Sequence, residues 1–122
     1  MNRALIIPAK GSPYTVMVAH PEGDFINKTV GGWFDCVRSE TFHGYVNDEG
    51  LLIGLELNPV ASIMFGQVLA GDCIVFGSFS AKGEYDGYEH SIDPSVVVMA
   101  NHFNFLWETQ PENFRVGMKE TI

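Results

Sequence analysis

The sequence predicts an α+β fold: a mostly antiparallel sheet of about five or six strands with two or three helices packed on it. Three observations carry this. Short apolar runs rich in β-formers recur between Gly, Pro and Asn turns. Two Asn-Pro or Asp-Pro pairs each precede a helical spacing of apolar residues. The chain has 122 residues, 46% of them hydrophobic and 18% charged, which suits one domain with a real core and no staples.

Taken in order, "RALIIPA" (residues 3–9) is an apolar run stopped by Pro8, expected as a buried strand. "KGSP" is turn material, and "YTVMVAH" (14–20) supplies a second strand. In "PEGDFINKTVGG", Asp24 can cap a short helix that carries Phe25, Ile26 and Val30 and stops at Gly31 and Gly32. "WFDCVRS" (33–39) alternates, with Trp33, Asp35, Val37 and Ser39 on one side and Phe34, Cys36 and Arg38 on the other. Neither side is purely apolar, so this strand is covered on both faces or contributes to an interface. "HGYVN" (43–47) returns antiparallel.

Asn47, Asp48, Glu49 and Gly50 form an acidic turn, because short polar side chains bond their own backbone and Gly supplies the free φ. The two acids are therefore read as an exposed corner and not as paired catalytic carboxylates. Asn58-Pro59 then opens a helix with Val60, Ile63, Met64 and Val68 at helical spacing, ending at Gly71. "DCIVFGSF" (72–79) is the most strand-like segment, and 80–93 is a polar loop or distorted hairpin. Asp93-Pro94 repeats the cap. Beyond it Val96, Met99, Phe103 and Leu106 share a helical face, while the triple valine pulls toward a strand. Residues 109–122 are expected as a loose tail.

Formal net charge is −8, which repels phosphate backbones and disfavours direct nucleic-acid binding. No apolar run approaches the roughly 20 residues of a membrane span, and no secretion signal opens the chain. Cys36 and Cys73 sit in apolar runs without CxxC spacing and are expected to be buried thiols in a reducing cytoplasm.

The densest polar cluster is "EYDGYEHSID", with Glu84, Asp86, Glu89 and Asp93 beside Tyr85, Tyr88 and His90. Tyr85, Asp86, Tyr88 and Glu89 are the candidate binding residues, an acidic and aromatic patch suited to a basic protein surface. The same composition also suits a solvated loop. The spacing does not follow the EF-hand pattern, so no metal or other cofactor is assigned. His20, His43, His90 and His102 show no metal-ligand spacing, and no nucleophile motif is present, so no catalytic residue is assigned.

The strings "VGGWFDCVR", "GYVNDEGLLIGLELNPVA" and "GDCIVFG" together resemble a family of small uncharacterised proteins found in bacteriophages of actinobacteria and in their hosts. The resemblance runs from about residue 6 to residue 77. It implies a short helix ending in Val-Gly-Gly, a strand, an acidic turn, an Asn-capped helix and a Gly-Asp strand. It brings no activity and no catalytic residues. The context it implies is an accessory factor acting on host machinery.

Two functions follow as expectations. The first is a non-enzymatic phage-type accessory protein that binds a host macromolecule, expected to be a protein, through this acidic aromatic surface and modulates or inhibits it. The second is a self-assembling homo-oligomer that sequesters a small ligand such as a signalling nucleotide. Trp33, Phe103 and Trp107 would stack the base, and Arg38 and Arg115 would meet the phosphate.

Overall fold

The computed structural model describes residues 1–78 and 89–113. Among these residues five strands form one antiparallel sheet: β1 (Asn2–Ile7), β2 (Tyr14–Val18), β3 (Phe34–Arg38), β4 (Phe42–Asn47) and β5 (Cys73–Gly77). Their order is β2-β1-β5-β4-β3, so β5 lies at the centre and β2 and β3 are the edges. The described residues also form three helices: α1 (Gly23–Val30), α2 (Pro59–Phe65) and α3 (Pro94–Thr109). This is the α+β architecture that the sequence predicts.

Strand alternation sends side chains to two cores. Leu5, Ile7, Val37, Phe42, Val46, Cys73 and Val75 meet Val60, Ala61, Met64, Val96 and Ala100 of α2 and α3 on one face. Ala4, Ile6, Val18, Ile74 and Phe76 meet Ile26 and Val30 of α1 on the other. The sheet is thus sandwiched, and the central strand β5 is buried along its whole length. That explains its unbroken apolar reading, since neither face needs polar residues.

Helix ends follow local chemistry. Asn58 caps α2 by accepting from the Ala61 amide at 3.1 Å, and Asp93 caps α3 by accepting from the Ser95 amide at 2.8 Å. Residues 94–109 are helical despite the triple valine, because the cap, Pro94 and the packing of Val96 and Ala100 outweigh a weak β preference. In α1 the expected capping bond from Asp24 is absent. Glu22 occupies the N-cap position without a side-chain cap bond, and Asp24 lies in the first turn, where its charge suits the helix dipole.

The helix after Asn58 is shorter than its periodicity suggests. It stops at Phe65, with Gly66 in the left-handed conformation at φ 69°, and Ile63 lies exposed. Residues 67–70 instead fold back beside Asn58, whose amide nitrogen donates to the Leu69 carbonyl at 2.8 Å. Asn58 is fully buried, and its side chain donates to the carbonyls of Ile7 and Gly71 at 2.8 and 2.9 Å. One side chain therefore ties β1, the start of α2 and the entry to β5 together.

Candidate functional site

The alternation of β4 places His43 and Tyr45 on the α1 side of the sheet, with Phe42 and Val46 on the other. His43 pairs in register with Phe76 of β5, and the two rings stack with centroids 6.1 Å apart. Segment 89–92 runs in beside them. The Gly77 amide donates to the His90 carbonyl at 2.8 Å, and the Ile92 amide donates to the Arg3 carbonyl at 2.8 Å. This segment therefore bonds both the end of β5 and the start of β1. It brings Glu89 over the β4 side chains.

Glu89 completes a closed polar cluster. Its Oε2 lies 2.6 Å from His43 Nε2, and its Oε1 accepts from the Tyr45 hydroxyl at 2.5 Å. Its backbone carbonyl accepts from Asn2 Nδ2 at 2.6 Å. His43 Nδ1 lies 2.6 Å from the Gly77 carbonyl, which can only accept, so Nδ1 carries a proton. Nε2 then either donates to the Glu89 carboxylate or accepts from its carboxyl. Both arrangements leave the pair neutral and hold one shared proton between the two residues. His43 is 1% exposed and Glu89 7%, so the pair meets no open cleft. Chemically it is an internal clamp whose hydrogen-bonding capacity is spent within the fold.

Beside it, Cys36 and Arg38 of β3 stand opposite Tyr45 and His43 in register. Cys36 is exposed, contrary to the expectation of a buried thiol, because β3 is an edge strand. Partial burial of its sulfur nevertheless pushes the thiol pKa up, with Arg38 opposing that shift in part. The result is a thiol and not a poised thiolate. Cys73 is buried as expected, and burial raises its pKa strongly. Among the described residues no group of three His, Cys, Asp or Glu side chains is placed to hold a metal ion.

Two grooves among the described residues lie toward the opposite face of the sheet. A groove of about 480 Å³ runs along β3 and the end of β4. Asp35, Val37, Val46, Asp48, Leu51, Leu52 and residues 67–70 are among the residues that line it. Around it the chain exposes large apolar side chains: Leu51 at 56%, Leu52 at 88% and Ile53 at 58%. Trp33 is 80% exposed, and its carbonyl accepts from the Asp48 amide at 3.0 Å, which places it at the same corner. Asp48 and Glu49 are exposed on this turn, as the sequence predicts. A second groove of about 270 Å³ lies between 8–11, 56–60 and the Asn104, Trp107 and Glu108 side of α3.

The candidate residues read from sequence fall in several places. Tyr85, Asp86 and Tyr88 lie outside the described residues. Glu89, expected on an exposed acidic patch, is instead buried in the clamp, because segment 89–92 is bonded into the sheet. Trp33 and Arg38 sit at the two ends of β3. Phe103 and Trp107 pack against the α2 and α3 core, and Arg115 lies outside the described residues. Neither groove is lined by members of both the β3 pair and the α3 pair. His102 is exposed on α3, and the buried His43, which the sequence left unassigned, is the histidine that meets a carboxylate in the sheet. Alternation in "FHGYVN" could have put His43 and Tyr45 on one face. Nothing local could have supplied Glu89.

No helix among the described residues is long and apolar enough to cross a membrane. Residues 1–96 match the family described as Domain of unknown function (DUF3846), and the chain belongs to that family. No curated protein and no solved structure matches.

Proposed function

We propose that this member of a family of unknown function is a non-enzymatic, phage-type accessory protein. It binds a host protein in the cytoplasm of an actinobacterial host and modulates or inhibits it. The observation that carries the reading is the exposed corner formed by Trp33, Leu51, Leu52 and Ile53 beside Asp35, Asp48 and Glu49. Large apolar side chains clustered on a surface and rimmed by charge mark interaction sites, whereas isolated ones need no explanation. The acidic rim and a net charge of −8 favour a basic partner and oppose nucleic acid. Tyr85, Asp86 and Tyr88 have the chemistry for a second contact of the same kind.

A non-enzymatic role is supported by the clamp. His43 and Tyr45 both bond the Glu89 carboxylate, and His43 and Glu89 are buried. The test is affinity capture from an actinobacterial lysate, with wild-type protein and a Leu52→Asp variant of equal stability. A host protein retained by the wild type, lost from the variant and weakened by salt supports the role. Identical retention by both overturns it.

A further inference from the structure

We propose that the groove between the end of α3 and the link that follows β1 binds an organic cation, an ammonium or guanidinium head on an apolar stem. The site is separate from the corner of Trp33 and Leu52 and does not depend on it.

The walls are built into the fold. The groove of about 270 Å³ lies between residues 8–11 after β1, residues 56–60 at the start of α2, and Asn104, Trp107 and Glu108 near the end of α3. Asn58 fastens two of these walls, because its side chain caps α2 and donates to the Ile7 and Gly71 carbonyls. A recess held by buried bonds exists before its ligand arrives, which lowers the ordering cost of binding. Pro8, Ala9, Pro59, Val60 and Trp107 give it apolar surface, suited to the stem of a small organic molecule.

Asn104 supplies the first reason for a donor-rich head. It is 9% exposed, and its Nδ2 donates to Glu108 Oε1 at 3.3 Å and lies 3.5 Å from Ser12 Oγ. A carboxylate only accepts, so the nitrogen faces Glu108 and the carbonyl oxygen is the other arm of the amide. That oxygen accepts no hydrogen bond among the described residues. No sealed side-chain oxygen or nitrogen among them lacks a partner, so Oδ1 keeps contact with open space. The space that Asn104 borders is this groove. A nearly buried acceptor open only to a recess is satisfied by a donor that enters it.

Charge supplies the second reason. The charged lining residues are Lys10, Glu56 and Glu108. Lys10 Nζ lies 3.2 Å from Glu56 Oε2, so these two offset each other and the Glu108 carboxylate remains. The last turn of α3 carries no basic residue, although the carbonyl end of a helix favours positive charge there. A phosphate or carboxylate ligand would meet the wrong sign. A bare metal ion fits no better, since among the described residues no three His, Cys, Asp or Glu side chains are grouped to hold one. An N–H-bearing cation answers both the open amide oxygen and the carboxylate, with charge-assisted bonds.

The probe is benzylamine, titrated as its ammonium form into isotope-labelled full-length protein, beside benzyl alcohol and phenylacetate. The amine should shift the Trp107 indole, the Asn104 side-chain amide and the Gly11 amide to saturation. It should bind at least about tenfold tighter than either control. Glu108 is exposed, and Gln can still accept from Asn104, so Glu108→Gln should fold normally and weaken the amine at least about fivefold. Glu40→Gln makes the same change of net charge at an exposed position away from the groove and should leave binding unchanged. The tripeptide Ac-Gly-Lys-Gly-NH2 separates the two sources of such a head. Binding of benzylamine alone assigns a free amine, and binding of the tripeptide, alone or as well, admits a lysine side chain of another polypeptide. Binding of neither overturns the site. So does equal binding of benzyl alcohol or phenylacetate, no loss with Glu108→Gln, the same loss with Glu40→Gln, or shifts centred on Trp33 and Leu52 in place of Trp107.

Discussion

His43 Nε2 lies 2.6 Å from Glu89 Oε2, across 46 residues of sequence, and the pair is shut away from solvent. Among the described residues, Gly77 bonds the other ring nitrogen and Tyr45 the other carboxyl oxygen. Removing one member leaves buried polar atoms without partners, which costs more than the intact pair contributes. Glu89→Ala should therefore destabilise the fold by about 3 kcal/mol. Glu89→Gln can donate to a neutral His43 and still accept from Tyr45, so it should cost only about 1 kcal/mol. Urea unfolding of the two variants checks the order, and equal losses would contradict the clamp.

Gly77 is needed for close approach. A Cβ there would overlap the Ser91 carbonyl oxygen, a backbone atom that cannot swing aside. Gly77→Ala should push segment 89–92 off the sheet and cost about 2 kcal/mol or more. It should also expose Glu89, so its amide should exchange with solvent much faster than in the wild type. A variant of unchanged stability and exchange would mean that the segment is not wedged as described.

Asn58 concentrates three connections in one buried side chain. Asn58→Ala loses the bonds to Ile7, Gly71 and Ala61 together, and about 3 kcal/mol of stability should go with them. Asn58→Asp keeps the cap but buries a charge and loses both donors, so it should be no better. Thermal or denaturant unfolding distinguishes these from a surface change.

Asp93 is held below the ordinary aspartate pKa, first by the hydrogen bond from the Ser95 amide and then by its side-chain hydroxyl. A depressed folded value means that stability is gained when the carboxylate is charged. That contribution is present above the unfolded aspartate value of about 4 and fades as pH falls through the folded one. Asp93→Asn should lose this acid dependence while keeping an N-cap. Carboxyl NMR titration of Asp93 gives the shift directly, and a value at or above the unfolded one would refute it.

Leu52 contributes to a surface and not to the core. Leu52→Asp should change stability by less than about 0.5 kcal/mol while abolishing partner capture. A large loss of stability would show that the side chain is packed in solution.

Local chemistry alone determined much of this protein. Alternation and β-formers marked five strands within two residues of their ends, and Asn58-Pro59 and Asp93-Pro94 marked the starts of α2 and α3. Those signals are local because pleat, cap and turn are properties of a few neighbouring residues. Tertiary structure decided the rest. Periodicity carried α2 past Phe65, but the return of 67–70 to pair with Asn58 ended it there. The apolar run around Cys36 suggested burial, and strand order made it an edge. The acids near Glu89 looked like surface, yet a bonded segment carried that one carboxylate to His43. Strand order and long-range pairing depend on which distant residues meet, and spacing along one short stretch holds no record of that.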